Sequence, residues 1–186
     1  MRKIFLFMMV SLDGFFEGLN GDISWHNVDD EFNEFAIQQL SEVDTLLFGR
    51  RTYQGMASYW PTEAARKDDP VVTGLMNSIP KIVVSKTLEA VDWENTRLVK
   101  ENITEEISKL KRVSGKDIAI FGSANLTVAL TEVELVDEYR VMVNPVALGD
   151  GKSLFNGLNH KLNLKLLKTK PFKSGNVLLY YEPAGE

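Results

Sequence analysis

The chain has 186 residues, enough for one domain with a sizeable core. Hydrophobic residues make up 44% and charged residues 25%, ordinary globular values, and a net charge of −5 argues against a general nucleic-acid binder. Without cysteine there are no disulfides, thiolate metal sites or cysteine nucleophiles, and His26 and His160 alone are little material for a histidine metal cluster or a serine–histidine triad.

Met1-Arg2-Lys3 followed by the apolar residues 4–10 imitates a signal peptide. The apolar run is short, Asp13 follows it quickly and no small-x-small cleavage site appears, so it reads as a first buried strand. No run approaches the ~18 apolar residues of a membrane span, and a cytoplasmic chain with no membrane partner is expected. Asp13-Gly14 opens a glycine-rich loop with Gly18 and Gly21. Phe32, Phe35, Ala36, Leu40 and Val43 then recur at helical spacing, with Asp29 and Asp30 near the start, where carboxylates suit the helix dipole.

Residues 45–48 read as a strand and 51–59 as a helix, which Trp60-Pro61 ends because proline disfavours helical geometry at the residue before it. Residues 62–70 are polar and charged and read as a surface loop, 71–77 as a short helix, and the β-branched 81–85 as a buried strand. Asn102 with Glu105 forms a possible capping box for a helix carrying Ile103, Ile107 and Leu110. Residues 117–121 are a strand, after which Gly122 opens a helix with Leu126, Val128, Ala129 and Leu130. Residues 139–143 are a strand ending at Asn144-Pro145. Beyond Gly149 and Gly151, Leu162, Leu164 and Leu166 alternate with polar residues, and residues 176–181 close the chain as the second arm of an antiparallel hairpin turned around Pro171 to Gly175. No repeat or linker interrupts the pattern. Residues 1–186 read as a single α/β domain, mostly parallel early and antiparallel late.

Three junctions share one chemical character. Gly49-Arg50-Arg51-Thr52 follows the strand at 45–48, Ser85-Lys86-Thr87 follows Ile82-Val83-Val84, and Gly122-Ser123-Ala124-Asn125 follows residues 118–121. Each puts small, hydroxyl or cationic groups at the carboxyl end of an apolar strand, where ligands of open α/β sheets bind. A helix start attracts an anion through its free N–H groups and macrodipole, and guanidinium adds bidentate phosphate recognition. Together the three could hold a dinucleotide, with the arginines, serine and lysine around a ribose 2′-phosphate; singly, each is also an ordinary polar turn. No Gly-x-Gly-x-x-Gly, His-Glu-x-x-His or Cys-x-x-Cys is present, and Gly151-Lys152-Ser153 has Val146 where a P-loop needs glycine. No metal site is expected, and both histidines read as polar surface residues.

In order and spacing these segments resemble the dihydrofolate reductase-like superfamily, in its riboflavin-biosynthesis reductase (RibD C-terminal domain) branch. The resemblance rests on Ser11-Leu12-Asp13-Gly14, Phe48-Gly49-Arg50-Arg51-Thr52-Tyr53, Val84-Ser85-Lys86-Thr87, Ile120-Phe121-Gly122-Ser123-Ala124 and the segment from Pro145 through Leu148-Gly149-Asp150-Gly151 to Leu154-Phe155. It implies a three-layer α/β/α fold, NADPH as cofactor, a small heterocyclic substrate and a homodimer. It also implies cofactor contacts from Gly49, Arg50, Arg51, Thr52, Ser85, Lys86, Thr87, Gly122, Ser123, Ala124 and Asn125. Trp25 and Asp30 have nearly the spacing of the tryptophan and pteridine-binding carboxylate of true dihydrofolate reductases, with Asp29 as the register alternative. Asp30 is therefore the first candidate for proton donation and substrate anchoring and Asp13 the second, and Trp25, Phe32 and Phe35 are candidates for the pocket wall. The arginine that fixes a folate tail would fall near Ile79-Pro80, and the late threonine that supports the pteridine carboxylate has no match before Asn144-Pro145, which argues against folate itself.

Overall fold

The computed structural model describes residues 1–185. Its elements, in chain order, are β1 (Ile4–Ser11), β2 (Phe15–Glu17), α1 (Asp30–Ser41), β3 (Val43–Gly49), α2 (Arg50–Tyr59), α3 (Glu63–Asp68), α4 (Pro70–Ser78), β4 (Lys81–Val84), β5 (Thr96–Val99), α5 (Ile103–Arg112), β6 (Asp117–Phe121), α6 (Ala124–Thr131), β7 (Glu138–Asn144), β8 (Lys152–Ser153), β9 (Leu164–Pro171) and β10 (Val177–Pro183). Eight strands make one sheet in the order β5-β4-β3-β6-β1-β7-β10-β9. The first six are mutually parallel, while β10 runs antiparallel to both β7 and β9. The late antiparallel hairpin is thus in place, turned at Gly175, whose φ of 90° suits the absence of a side chain.

Strand alternation divides the core into two layers. Ile4, Leu6, Leu47, Ile82, Ile118, Ile120 and Tyr139 face one side and pack with Ile107 of α5 and Leu126 and Leu130 of α6. Phe5, Leu46, Phe48, Val83 and Ala119 face the other and pack with Leu40 of α1, Tyr53 of α2 and Val72 and Met76 of α4. The expected three-layer α/β/α arrangement is the consequence: both sheet faces are apolar and each needs a helical cover.

Four features differ from the sequence-based expectation. Residues 62–70 hold helix α3, not a loop. Thr62 accepts a hydrogen bond from the Ala65 amide at 3.2 Å, and Asp69 caps the next helix through the amides of Val71 and Val72 at 3.0 and 2.9 Å, with Pro70 in its first turn. Two N-caps within eight residues make the stretch look like a loop, yet they are helix-start signals. Asn102 forms no capping box: it is left-handed, with φ 51° and ψ 36°, and its side chain makes no cap bond. The short edge strand β5 and the two-stranded ribbon of β2 and β8 have no apolar alternation to announce them. Finally, His26 is half-buried, and burial pushes its pKa down, while His160 is exposed as expected. Among the described residues no helix is long and apolar enough to cross a membrane.

Candidate functional site

Because β4, β3, β6 and β1 are parallel neighbours, the three junctions lie along one edge of the sheet. Two of them touch. The Gly49 amide donates to Ser123 Oγ at 2.7 Å, joining the end of β3 to the start of α6. Gly122 and Ser123 both have left-handed backbones, with φ of 66° and 65°. A Cβ on Gly122 would stand 3.2 Å from Thr52 Cγ2, so Thr52 closes over this turn. Gly49, Thr52, Gly122 and Ser123 therefore form one cradle of glycines and small hydroxyl residues. Ala124 is buried beneath it and Asn125 is exposed on the first turn of α6.

The third junction is reached by Arg50, whose Nη1 donates to Thr87 Oγ1 at 2.9 Å. Ser85 is buried and rounds its own loop by accepting from the amides of Thr87 and Leu88 at 3.3 and 3.0 Å. Lys86 and Thr87 are left exposed beside Arg50. Arg51 turns the other way, and its Nη2 lies 3.6 Å from Glu17 Oε1. The two adjacent arginines thus serve different ends of the edge.

Helix starts at this edge are chemically distinct from the rest. α1, α3 and α4 are capped by the side chains of Asp29, Thr62 and Asp69. α2, α5 and α6, which follow parallel strands, have no side-chain cap. At α2 and α6 the first-turn amides are left for an outside acceptor. Uncapped amides, a cradle of glycines and small hydroxyl residues and two guanidiniums fit a pyrophosphate and a further phosphate.

The far end of the edge is built from the loop after β1. Ser11 Oγ accepts from the Phe15 amide at 3.0 Å. The Asp13 carboxylate accepts from the amides of Leu148 and Gly149 at 3.0 and 2.7 Å. The Ser11 hydroxyl and these amides hold its pKa down to about 2. Asp13, the second candidate for proton donation, acts here as an acceptor that ties two loops. Asp29 spends its carboxylate on the Phe32 amide at 2.8 Å, leaving Asp30, one position on, as the exposed carboxylate of the pair. Asp30 shares an open depression of about 390 Å³ with Asp29, Glu31, Glu34 and Lys173. Trp25 is half-buried, with Nε1 donating to the Asp22 carbonyl at 3.0 Å and its ring edge-on to His26 at 4.5 Å. Phe32 lies 6.3 Å from Phe7, and Phe7 lies 6.0 Å from Phe121, so an aromatic surface runs from α1 to the end of β6. Phe35 is buried behind it as core.

Sequence reasoning missed Glu17 and Lys152, which form an ion pair across the β2–β8 ribbon. They stand 135 positions apart, and no local pattern links them. It also missed Asn27, Asn144 and Asn176. Asn144 accepts from the Asn27 amide at 2.9 Å and Asn176 donates to the Asn27 carbonyl at 2.8 Å, which pins the loop before α1 to the ends of β7 and β10.

Known proteins share this architecture. The chain is 37% identical to the Bacillus subtilis protein YyaP over 182 residues, covering 97% of this chain and 94% of that one. A dihydrofolate reductase from Enterococcus faecalis, solved with NADP(H), superposes with a TM-score of 0.66 at 14% identity, covering 98% of this chain and 97% of that one. The deaminase/5-amino-6-(5-phosphoribosylamino)uracil reductase of Thermotoga maritima superposes with a TM-score of 0.71 at 14% identity, covering 98% of this chain and 57% of that one. The fold is dihydrofolate reductase-like, the fold of these reductases. The profile of the RibD C-terminal domain matches residues 2–178, and the chain belongs to that family.

Proposed function

We propose that this protein is an NADPH-dependent reductase acting on a small heterocycle of pteridine or aminopyrimidine type. The observation that carries the reading is the cradle of Gly49, Thr52, Gly122 and Ser123 between two uncapped helix starts, with Arg50 bonded to Thr87 beside it. The amides of the first turns of α2 and α6, the latter including Ala124 and Asn125, hold the pyrophosphate. Arg50, Ser85, Lys86 and Thr87 hold the ribose 2′-phosphate, and Arg51 stands on the pyrophosphate side.

Reduced nicotinamide supplies the hydride when bound. The chain orients and shields the reacting centre. Phe7 and Phe32 offer an apolar wall, Trp25 covers the loop side, and Asp30 anchors ring N–H groups or relays a proton from solvent. A homodimer belongs to the same reading; the edge strand β9, with Leu166 and Leu167 exposed, offers a surface for a second copy.

A second reading is the riboflavin-pathway 5-amino-6-(5-phosphoribosylamino)uracil reductase, favoured by the family and by the activity of the Thermotoga neighbour. A third, a nucleotide-binding protein without turnover, draws on the exposure of Asp30. NADPH consumption with a panel of pteridines, aminopyrimidines and the phosphoribosylated aminouracil separates the three. Millimolar NADPH is expected to raise the melting temperature, because a ligand of the native state alone must stabilise it. No thermal shift overturns the cofactor assignment, and a shift without turnover of any substrate supports the binding protein.

A further inference from the structure

Glu17 sits in β2 with only 15% of its side chain exposed, and its Oε1 faces two cations from different parts of the chain. Lys152, directly across the ribbon in β8, donates to it. Arg51, on the first turn of α2, approaches the same oxygen at 3.6 Å while remaining 74% exposed. The ribbon is tied a second time by Asp13 to the amides of Leu148 and Gly149. It therefore forms a flap beside the junction edge, fastened to the rim of the α2 start through Arg51.

A phosphate arriving at that rim competes with Glu17 for one guanidinium and is repelled by its carboxylate within a Debye length of ~8 Å. Lys152 changes the outcome, because it holds the carboxylate when Arg51 lets go. We propose that Glu17 is a positioning residue that couples dinucleotide binding to the β2–β8 flap: Arg51 passes from Glu17 to the ligand phosphate while Lys152 retains Glu17 and keeps the flap down. This rests on the reading of the α2 start as a phosphate site.

The two neighbours of Arg51 then act with opposite sign. Glu17→Gln frees the guanidinium and is expected to tighten NADPH binding about two- to fivefold at low salt, the range of an exposed ion pair. Lys152→Gln leaves Glu17 dependent on Arg51 and is expected to weaken NADPH binding by about the same factor. A flap latch with no link to the cofactor would be loosened by either substitution and would shift affinity in one direction only. The test is calorimetric titration of NADPH into the full chain, its two variants and the same variants carrying Arg51→Gln, with amide exchange of the β2–β8 ribbon followed in parallel. Opposite shifts that vanish in the Arg51→Gln background support the coupling. Shifts of the same sign, or none, in a chain that does bind NADPH overturn it and leave the cofactor reading standing. A wild-type chain that binds no NADPH overturns both.

Discussion

Gly49 gives its amide hydrogen to the hydroxyl of Ser123, 2.7 Å away and 74 positions further along the chain. This bond sets the spacing of two helix starts that would share one pyrophosphate. Ser123 makes it from a left-handed backbone with φ of 65°, which glycine adopts more readily than serine or alanine. Ser123→Ala keeps the strain and loses the bond, leaving a half-buried amide unpaired at a cost of about 1–2 kcal/mol. Ser123→Gly also loses the bond but relieves about 1 kcal/mol of strain. Urea unfolding is expected to rank wild type above Ser123→Gly and Ser123→Gly above Ser123→Ala.

The two arginines of α2 diverge, and so do their predicted phenotypes. Arg50 reaches Thr87 at 2.9 Å, whereas Arg51 faces Glu17. A charge-assisted phosphate contact contributes about 1.5–3 kcal/mol. Arg50→Ala is therefore expected to weaken NADPH about 10- to 100-fold with little change for NADH. Arg51→Ala is expected to weaken both cofactors alike. Dissociation constants measured for both nucleotides decide the matter, and equal losses in Arg50→Ala would remove that residue from the 2′-phosphate.

The three junctions were legible in the sequence because each is local: an apolar strand, then small, hydroxyl or cationic residues within four positions. The buried strands were legible as well, because a run as continuously apolar as residues 4–10 fits a strand covered on both faces. Relations across the chain were not legible. Nothing near Asp13 announces that Leu148 and Gly149 will hold its carboxylate, and nothing near Glu17 announces Lys152. The same limit applies to α3, where the polar character of residues 62–70 concealed the caps at Thr62 and Asp69 and the fully buried Ala65 between them. The direction taken by each arginine depends on partners brought in by other loops, so Arg50 and Arg51 were indistinguishable as a dipeptide.

Asp13 makes a pH prediction with a definite sign. Its pKa is about 2 in the folded chain and near the ordinary 3.8 when unfolded, so the folded state binds fewer protons between those values. The stabilisation that it gives the loop is fully present above about pH 4 and is lost as pH falls through about 2. Amide exchange at Leu148 and Gly149 reads it directly. At pH 6 these amides are expected to exchange faster in Asp13→Ala than in wild type. Below pH 3 the difference should shrink. A carboxyl carbon that titrates near 4 in the folded chain would contradict the arrangement.

Arg140 gathers a buried polar cluster on the sheet. It is 8% exposed in β7, donates to Glu138 at 2.7 Å and to Glu42 at 3.1 Å, and lies 3.7 Å from the ring centre of Phe5. Its bonds to Gln39 and Glu42 also clamp the end of α1 onto the sheet. Arg140→Ala removes the nearer cation and leaves the buried Glu138 with only the exposed Lys3, 4.0 Å from its Oε2, at an expected cost of about 3 kcal/mol, the low end for a broken buried pair. Arg140→Met with Glu138→Leu removes both charges and fills the space, so most of that loss should return. Chemical unfolding of the single and double variants tests the pair, with NADPH affinity of the folded fraction expected to stay at the wild-type value. A double variant as unstable as Arg140→Ala would show that the clamp on α1, more than the unpaired charge, carries the stabilisation.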